Sequence, residues 1–183
     1  MTLTPIGAVS RGLLAGVAGT AAMDTWMYLA YRRSGGKEPF LNWEFSSDVK
    51  TWADAPAPAQ VGRRLYDGLF QRKLPDERAA LVNDLTHWGF GIASAAGYGV
   101  VAGSLKQPRP VYGLLFGAGV WLGGYGVLPV TGLYEPIWKY DRVTLAKDLA
   151  AHLVYGLTTA TAFRAMLPRR VIRRGRRGGS RGR

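Results

Sequence analysis

The sequence has no cysteine among its 183 residues. That excludes disulfides, thiolate metal sites and cysteine nucleophiles, and it leaves the redox compartment open. Histidine is scarce too, with His87 and His152 the only two. There is no Gly-x-Ser-x-Gly elbow, no His-Glu-x-x-His pair and no phosphate-binding glycine loop. Nothing in the chain therefore points to an enzyme. Acidic residues number 12 against 24 basic ones, a formal charge of +12, and from Arg164 onward there are nine Arg and no acid.

What the chain does have is glycine, 25 of them, set inside apolar runs rather than in polar linkers. Glycine weakens the interior of a soluble helix, but in a membrane helix it lets two backbones approach. Apolar stretches at about 6–31, 85–105, 111–133 and 143–167 are each long enough, at about 1.5 Å per residue, to cross a hydrocarbon core of about 30 Å. The expected fold is all-α: an integral membrane four-helix bundle with a short amphipathic helix in the first loop. The first stretch carries a small-residue pair, Ala21-Ala22, but no Lys or Arg leads into the stretch from 6, and apolar character continues to Tyr31. It reads as an uncleaved helix rather than a signal peptide. Gly91, Ala95, Gly99 and Gly103 form one small-residue stripe on the second span, and Gly113 and Gly117 begin another on the third, where Gly119 and Gly123 repeat the spacing. The turn Lys106-Gln107-Pro108-Arg109-Pro110 is short enough to make spans two and three antiparallel neighbours. Pro129 falls near the end of the third span.

The polar section 32–84 is nearly neutral; with Leu85 it holds nine basic and eight acidic residues. Phe40, Trp43, Phe45 and Trp52 suit the membrane interface. After a stiff Ala55-Pro56-Ala57-Pro58 turn, Val61, Leu65, Tyr66, Leu69 and Phe70 recur at helical spacing, as in a helix lying on the bilayer or the bundle. The segment 168–183 reads as a disordered basic tail. Its Arg169, Arg170, Arg173, Arg174, Arg176 and Arg177 place both termini on the cytoplasmic side of a multi-pass chain. They serve as an anchor against anionic lipid head groups rather than as a nucleic-acid site. The lipid bilayer is the expected partner, and the glycine faces suit packing within one chain, in a homo-oligomer or in a larger membrane complex.

Ionisable groups inside a bilayer cost several kcal/mol unless paired or hydrated, about 2.5–3.5 kcal/mol on insertion scales. Arg11 and Arg164 lie near cytoplasmic ends and can snorkel. Asp24 sits about 10 Å from the outer end of the first span by helical rise. His87 opens the second span, Glu135 follows the third, and Asp148, His152 and Tyr155 share one face of the fourth. All fall in the outer half of the bundle. Three readings fit: cross-helix hydrogen bonds that fix packing, a proton-responsive or cation-binding site, and haem held by His87 and His152. A transporter or channel subunit moving protons or cations, and a haem- or quinone-linked accessory subunit, are the corresponding functional alternatives.

The run His87-Trp88-Gly89-Phe90, then Ala96-Gly97-Tyr98-Gly99-Val100-Val101, Gly113-Leu114-Leu115-Phe116-Gly117-Ala118, Pro129, Gly132-Leu133, Pro136, Trp138 and Ala151-His152-Leu153-Val154-Tyr155 resembles the YagU-like inner-membrane proteins, a bacterial family of unknown function. The similarity covers roughly residues 85–165, and the polar loop and Arg tail do not match. It implies a multi-spanning protein of the bacterial cytoplasmic (inner) membrane with a link to acid tolerance and no established enzymatic activity. The expected role is a non-enzymatic one in acid or envelope stress through the outer-side His and carboxylate cluster, with no cofactor expected beyond the haem alternative. The residues it carries over are His87 and His152.

Overall fold

A computed structural model describes residues 3–45 and 49–168; the Arg-rich segment read as a tail lies, from Arg169 on, outside the described residues. Among the described residues there are six α-helices, two 3-10 turns and no strand. The helices are α1 (Pro5–Arg33), α2 (Phe40–Glu44), α3 (Ala57–Phe70), α4 (Ala79–Ser104), α5 (Tyr112–Val127) and α6 (Arg142–Ala165).

Local chemistry explains where these helices start and stop. Thr4 caps α1 by accepting the Gly7 amide at 3.1 Å, with Pro5 in the first turn, where its missing N–H costs nothing. Gly35, at φ 96°, follows the helix and lets the chain reverse. Asp141 caps α6, its carboxylate accepting the Val143 and Thr144 amides at 2.9 and 3.0 Å and the Thr144 hydroxyl at 2.6 Å. The Thr144 hydroxyl and amide hold the Asp141 carboxyl below its ordinary pKa. α5 ends at Val127, six residues before the expected 133. Leu128 keeps helical geometry, but Pro129 has no N–H with which to continue the ladder, and Gly132 at φ 70° turns the chain, so the helix ends here rather than kinking. α4 begins at Ala79, ahead of the expected 85, because the 3-10 turn Asp76–Arg78 after Pro75 runs directly into it.

The helices form a row. α3 lies on α4, α4 on α1, α1 on α6 and α6 on α5. The stripe of α4 meets a matching stripe on α1. A Cβ at Gly99 would fall 2.5 Å from the Ala8 carbonyl oxygen, and one at Gly12 would fall 2.5 Å from that of Ala95. The small residues thus run antiparallel: Ala8 faces Gly99 and Gly103, Gly12 faces Ala95, Gly16 faces Ile92, and Thr20 faces Gly91. α5 uses Gly113 and Gly117 in the same way against the backbone of His152 and Gly156 on α6.

The short turn 106–110 predicts that α4 and α5 are antiparallel neighbours; among the described residues their main packing partners are instead α1 and α6. The small face of α4 is already filled by α1, and that of α5 by α6; α4 and α5 meet through the Tyr98 and Phe116 rings, 4.8 Å apart. A Cβ at Gly119 or Gly123 would have nothing within 4 Å, so this second glycine pair of α5 faces outward.

The polar section also differs from its reading. Trp52 is buried rather than interfacial. It packs with Ala59 and Ala79, donates to the Leu74 carbonyl at 3.0 Å and lies under the Arg63 guanidinium. α3 turns Ala59 and Gly62 toward α4 and leaves Leu65, Leu69 and Phe70 exposed. Among the described residues one helix, α1, is long and apolar enough to cross a membrane; α5, with 16 residues, rises about 24 Å, short of a hydrocarbon core of about 30 Å.

The interior combines small and polar residues with a few large ones, Met23, Tyr98, Tyr155, Phe163 and Leu167, and many large apolar side chains lie outside. Ala15, Thr20, Ala95, Ala102, Thr159 and Ala160 are buried, while Leu14, Phe90, Leu115, Val101 and Val127 are 61–75 % exposed.

Candidate functional site

The antiparallel seam between α1 and α4 determines what meets at its end. Continuing the register one turn beyond Thr20 and Gly91 brings Asp24 opposite His87. Asp24 is 4 % exposed, and its Oδ1 lies 2.8 Å from His87 Nε2. Asp24 Oδ2 is buried without a hydrogen-bond partner. A carboxylate oxygen buried in this way calls for a hydrogen-bond donor beside it.

The third member of the cluster is Glu44, which the sequence reading passed over. The chain after α1 folds back around Tyr31, whose hydroxyl accepts the Lys37 and Glu38 amides at 3.2 Å. Phe40 and Trp43 then pack on Tyr28, with ring centres 5.1 and 5.5 Å apart. This seats α2 over the end of the bundle. Glu44 accepts the Trp88 indole N–H at 2.9 Å and stands beside Asp24. Burial, and next the charge of Asp24, push its pKa above the ordinary 4.5, against the opposing pull of Trp88 and His87. Asp84 adds a further negative charge near His87.

Asp148 and His152 form a separate group one turn apart on α6. His152 Nδ1 lies 2.8 Å from the Asp148 carbonyl oxygen and 3.4 Å from its carboxylate. Tyr125 and Trp121 of α5 approach the same carboxylate. Tyr155, two turns into the bundle from Asp148, donates to the Gly91 carbonyl at 2.5 Å and ties α6 to α4. Glu135 joins neither group; it is exposed and pairs with Lys139 at 2.8 Å. The shared depth read from the sequence thus resolves into two carboxylate–histidine pairs on different helices, with Glu135 apart. The two imidazoles each serve a carboxylate of their own, and among the described residues no three His, Asp or Glu side chains are grouped to hold a metal ion.

The opposite end of the bundle is basic. Arg11 donates to the Met166 carbonyl at 3.1 Å and the Gly7 carbonyl at 2.8 Å, and Arg164 donates to Pro108 at 3.2 Å. Both guanidiniums satisfy helix-end carbonyls there.

Beside the Asp24 cluster, a cleft of about 520 Å³ opens between the end of α1, α2 and the start of α6. Tyr125, Tyr134 and Tyr140 form one wall, their rings 5.3–6.1 Å apart, and Tyr31 and Trp43 the other, 6.1 Å apart. Burial and the nearby Asp148 charge push the Tyr134 hydroxyl above its ordinary pKa of 10. No sequence signal placed these rings together, because they come from loops and helix ends far apart in the chain.

No family model matches the chain, and neither a curated protein nor a solved structure is similar to it.

Proposed function

We propose that the chain is a multi-pass protein of the bacterial cytoplasmic membrane, crossing the bilayer four times with both termini inside, the third crossing made by α5 together with the residues 128–133 that follow it, and that Asp24, His87 and Glu44 form a proton-responsive cluster at its outer end. One observation carries most of the membrane placement: Leu14, Phe90, Val101, Leu115 and Val127 face outward, while Ala15, Thr20, Asp24, Ala95, Ala102, Thr159 and Ala160 lie buried among the rings of Tyr98, Tyr155 and Phe163. In water that division is inverted, since each exposed Leu or Phe forgoes about 1.5–3 kcal/mol of burial. In lipid the exterior costs nothing, and close backbone contact supplies the packing. The Arg side chains at one end and the aromatic rings at the other suit the two interfaces.

The cluster's chemistry follows from Asp24 Oδ2. Protonated Glu44 can donate to it, completing the carboxyl pair; ionised Glu44 repels it. Because the pKa of Glu44 is raised, its stabilising contribution is fully present below the ordinary carboxylate value and is lost as pH rises through the raised one. Acid therefore latches α2 onto the bundle, and neutral pH loosens it. This is the acid-stress link that the resemblance to the YagU-like proteins implies.

The absence of native cysteine makes the test direct. A single Cys at Ser34 or Thr131 is expected to react with an impermeant thiol reagent from outside the cell, and one at Lys106 only after lysis. A spin-label pair on Leu41 and Leu81 should report α2 closing as pH falls from 7 to 4.5, and Glu44→Gln should abolish the change. External labelling at Lys106 overturns the topology; a pH-independent distance overturns the latch.

A proton- or cation-moving subunit has its own supporting observation. The Thr20 and Thr159 hydroxyls, both fully buried, have no hydrogen-bond partner and continue the polar file inward from Asp24. Proton flux in proteoliposomes that disappears in Asp24→Asn would establish this second reading.

A further inference from the structure

The aromatic cleft is separate from the Asp24 cluster and has a charge pattern of its own. Its two walls are aromatic: Tyr125, Tyr134 and Tyr140 against Tyr31 and Trp43. Its floor, from α6, presents Lys147 and Asp148 as consecutive residues, a cation beside an anion. Aromatic faces carry negative potential and attract alkylated ammonium groups, most strongly where a carboxylate completes the cage. Lys147, exposed at the rim, disfavours a bare cation but matches a ligand whose ammonium is joined to an anion. Trp26 and Met27 of α1 border the cleft and are themselves about two-fifths exposed on the helix's outer surface, so the cleft opens onto an apolar flank.

We propose that this cleft binds the zwitterionic head group of a phospholipid, with the alkylammonium held between the tyrosine faces and the Asp148 carboxylate and the phosphate at Lys147. The acyl chains run down the apolar flank of α1 past Trp26 and Met27. The inference rests on the membrane placement proposed above for its lipid source, but the head-group chemistry of the cleft does not depend on it.

The test uses the full chain in nanodiscs containing equal amounts of phosphatidylethanolamine and phosphatidylglycerol, with retained lipid counted by native mass spectrometry. A second arm titrates soluble phosphoethanolamine into the detergent-purified protein. Retention enriched several-fold in phosphatidylethanolamine is expected, falling to the bulk ratio in Asp148→Asn. Lys147→Gln keeps the test sound if Asp148→Asn perturbs folding through its contact with His152. Each substitution should weaken phosphoethanolamine binding by about tenfold, the size expected for losing one charge partner of a partly buried ligand. Lys139→Gln, on the exposed Glu135 pair, should change neither arm. Bulk-ratio retention by the wild type, together with no phosphoethanolamine binding, overturns the proposal. Failure to enter nanodiscs, with variant-sensitive phosphoethanolamine binding intact, overturns the membrane placement while upholding the cleft. Entry into nanodiscs without head-group preference or soluble binding does the reverse.

Discussion

Replacing Gly12 with alanine tests the packing on which the site depends. The new Cβ would stand 2.5 Å from the Ala95 carbonyl oxygen and 2.8 Å from the Ala96 Cα. Both are backbone atoms of α4, so no side chain can swing aside. Ordinary contact begins near 3.4 Å, and α1 and α4 must therefore separate by most of an ångström along the whole seam. Overpacking of this kind costs about 1–3 kcal/mol. The alanine gains about 0.5–1 kcal/mol of helix propensity, which leaves a net loss of about 1–2 kcal/mol. Gly119→Ala supplies the control, because nothing lies within 4 Å of its Cβ and only the propensity gain remains. Unfolding of the detergent-solubilised protein, followed by circular dichroism, should place the two variants on opposite sides of wild type. The separation should also carry Asp24 away from His87, so Gly12→Ala should weaken the pH response of α2 although residue 12 lies three turns from the cluster. Equal stabilities for the two alanine variants would refute the close approach of α1 and α4.

The Asp24–His87 pair should behave asymmetrically. His87→Ala strands a buried carboxylate and should cost about 3–5 kcal/mol, whereas adding Asp24→Asn to it should recover part of that loss in the same unfolding assay. Tyr155→Phe removes the hydroxyl bonded to Gly91 and should lower stability by about 1 kcal/mol without changing the pH response, as thermal melts at pH 5 and 7 would show. Trp52→Ala should empty the small core beneath α3, costing about 3–5 kcal/mol of local stability read by hydrogen exchange in residues 57–70.

The helices were legible in the sequence because glycine and alanine periodicity survives in the folded packing: Gly91, Ala95 and Gly99 lie on the seam they were read to form. Asp24 and His87 were legible because an ionisable residue within an apolar run is conspicuous. Glu44 was not. It belongs to an ordinary polar loop, and only the fold-back around Tyr31 carries it to the cluster. The neighbours of α5 were misjudged for a related reason. A short turn fixes how far apart two helix ends lie, but the faces of α4 and α5 that can accept a close backbone partner were already committed to α1 and α6. Trp52 shows the same limit, since an aromatic in a polar loop is equally consistent with an interface and with a small buried core.

The near-zero mean hydropathy averages the apolar helices with the polar section 32–84 and the Arg-rich segment after 168, and among the described residues α1 alone is apolar enough to qualify as a span. Hydropathy averages the two faces of a helix, and here the inward faces of α4 and α6 carry glycine, threonine, histidine and Asp148. Those residues lower the average without touching the exterior, where Phe90, Val100 and Val101 on α4 and Val143 and Leu157 on α6 stay exposed. A bundle stabilised by backbone proximity requires small residues inside, and a titrating cluster requires ionisable ones there. Both requirements subtract from the sequence signal that lipid exposure adds. The observation that separates the two contributions is which face each residue occupies: Phe90, Val100, Val101 and Leu157 face outward, while Tyr98, Tyr155 and Phe163 fill the spaces between the small-residue seams.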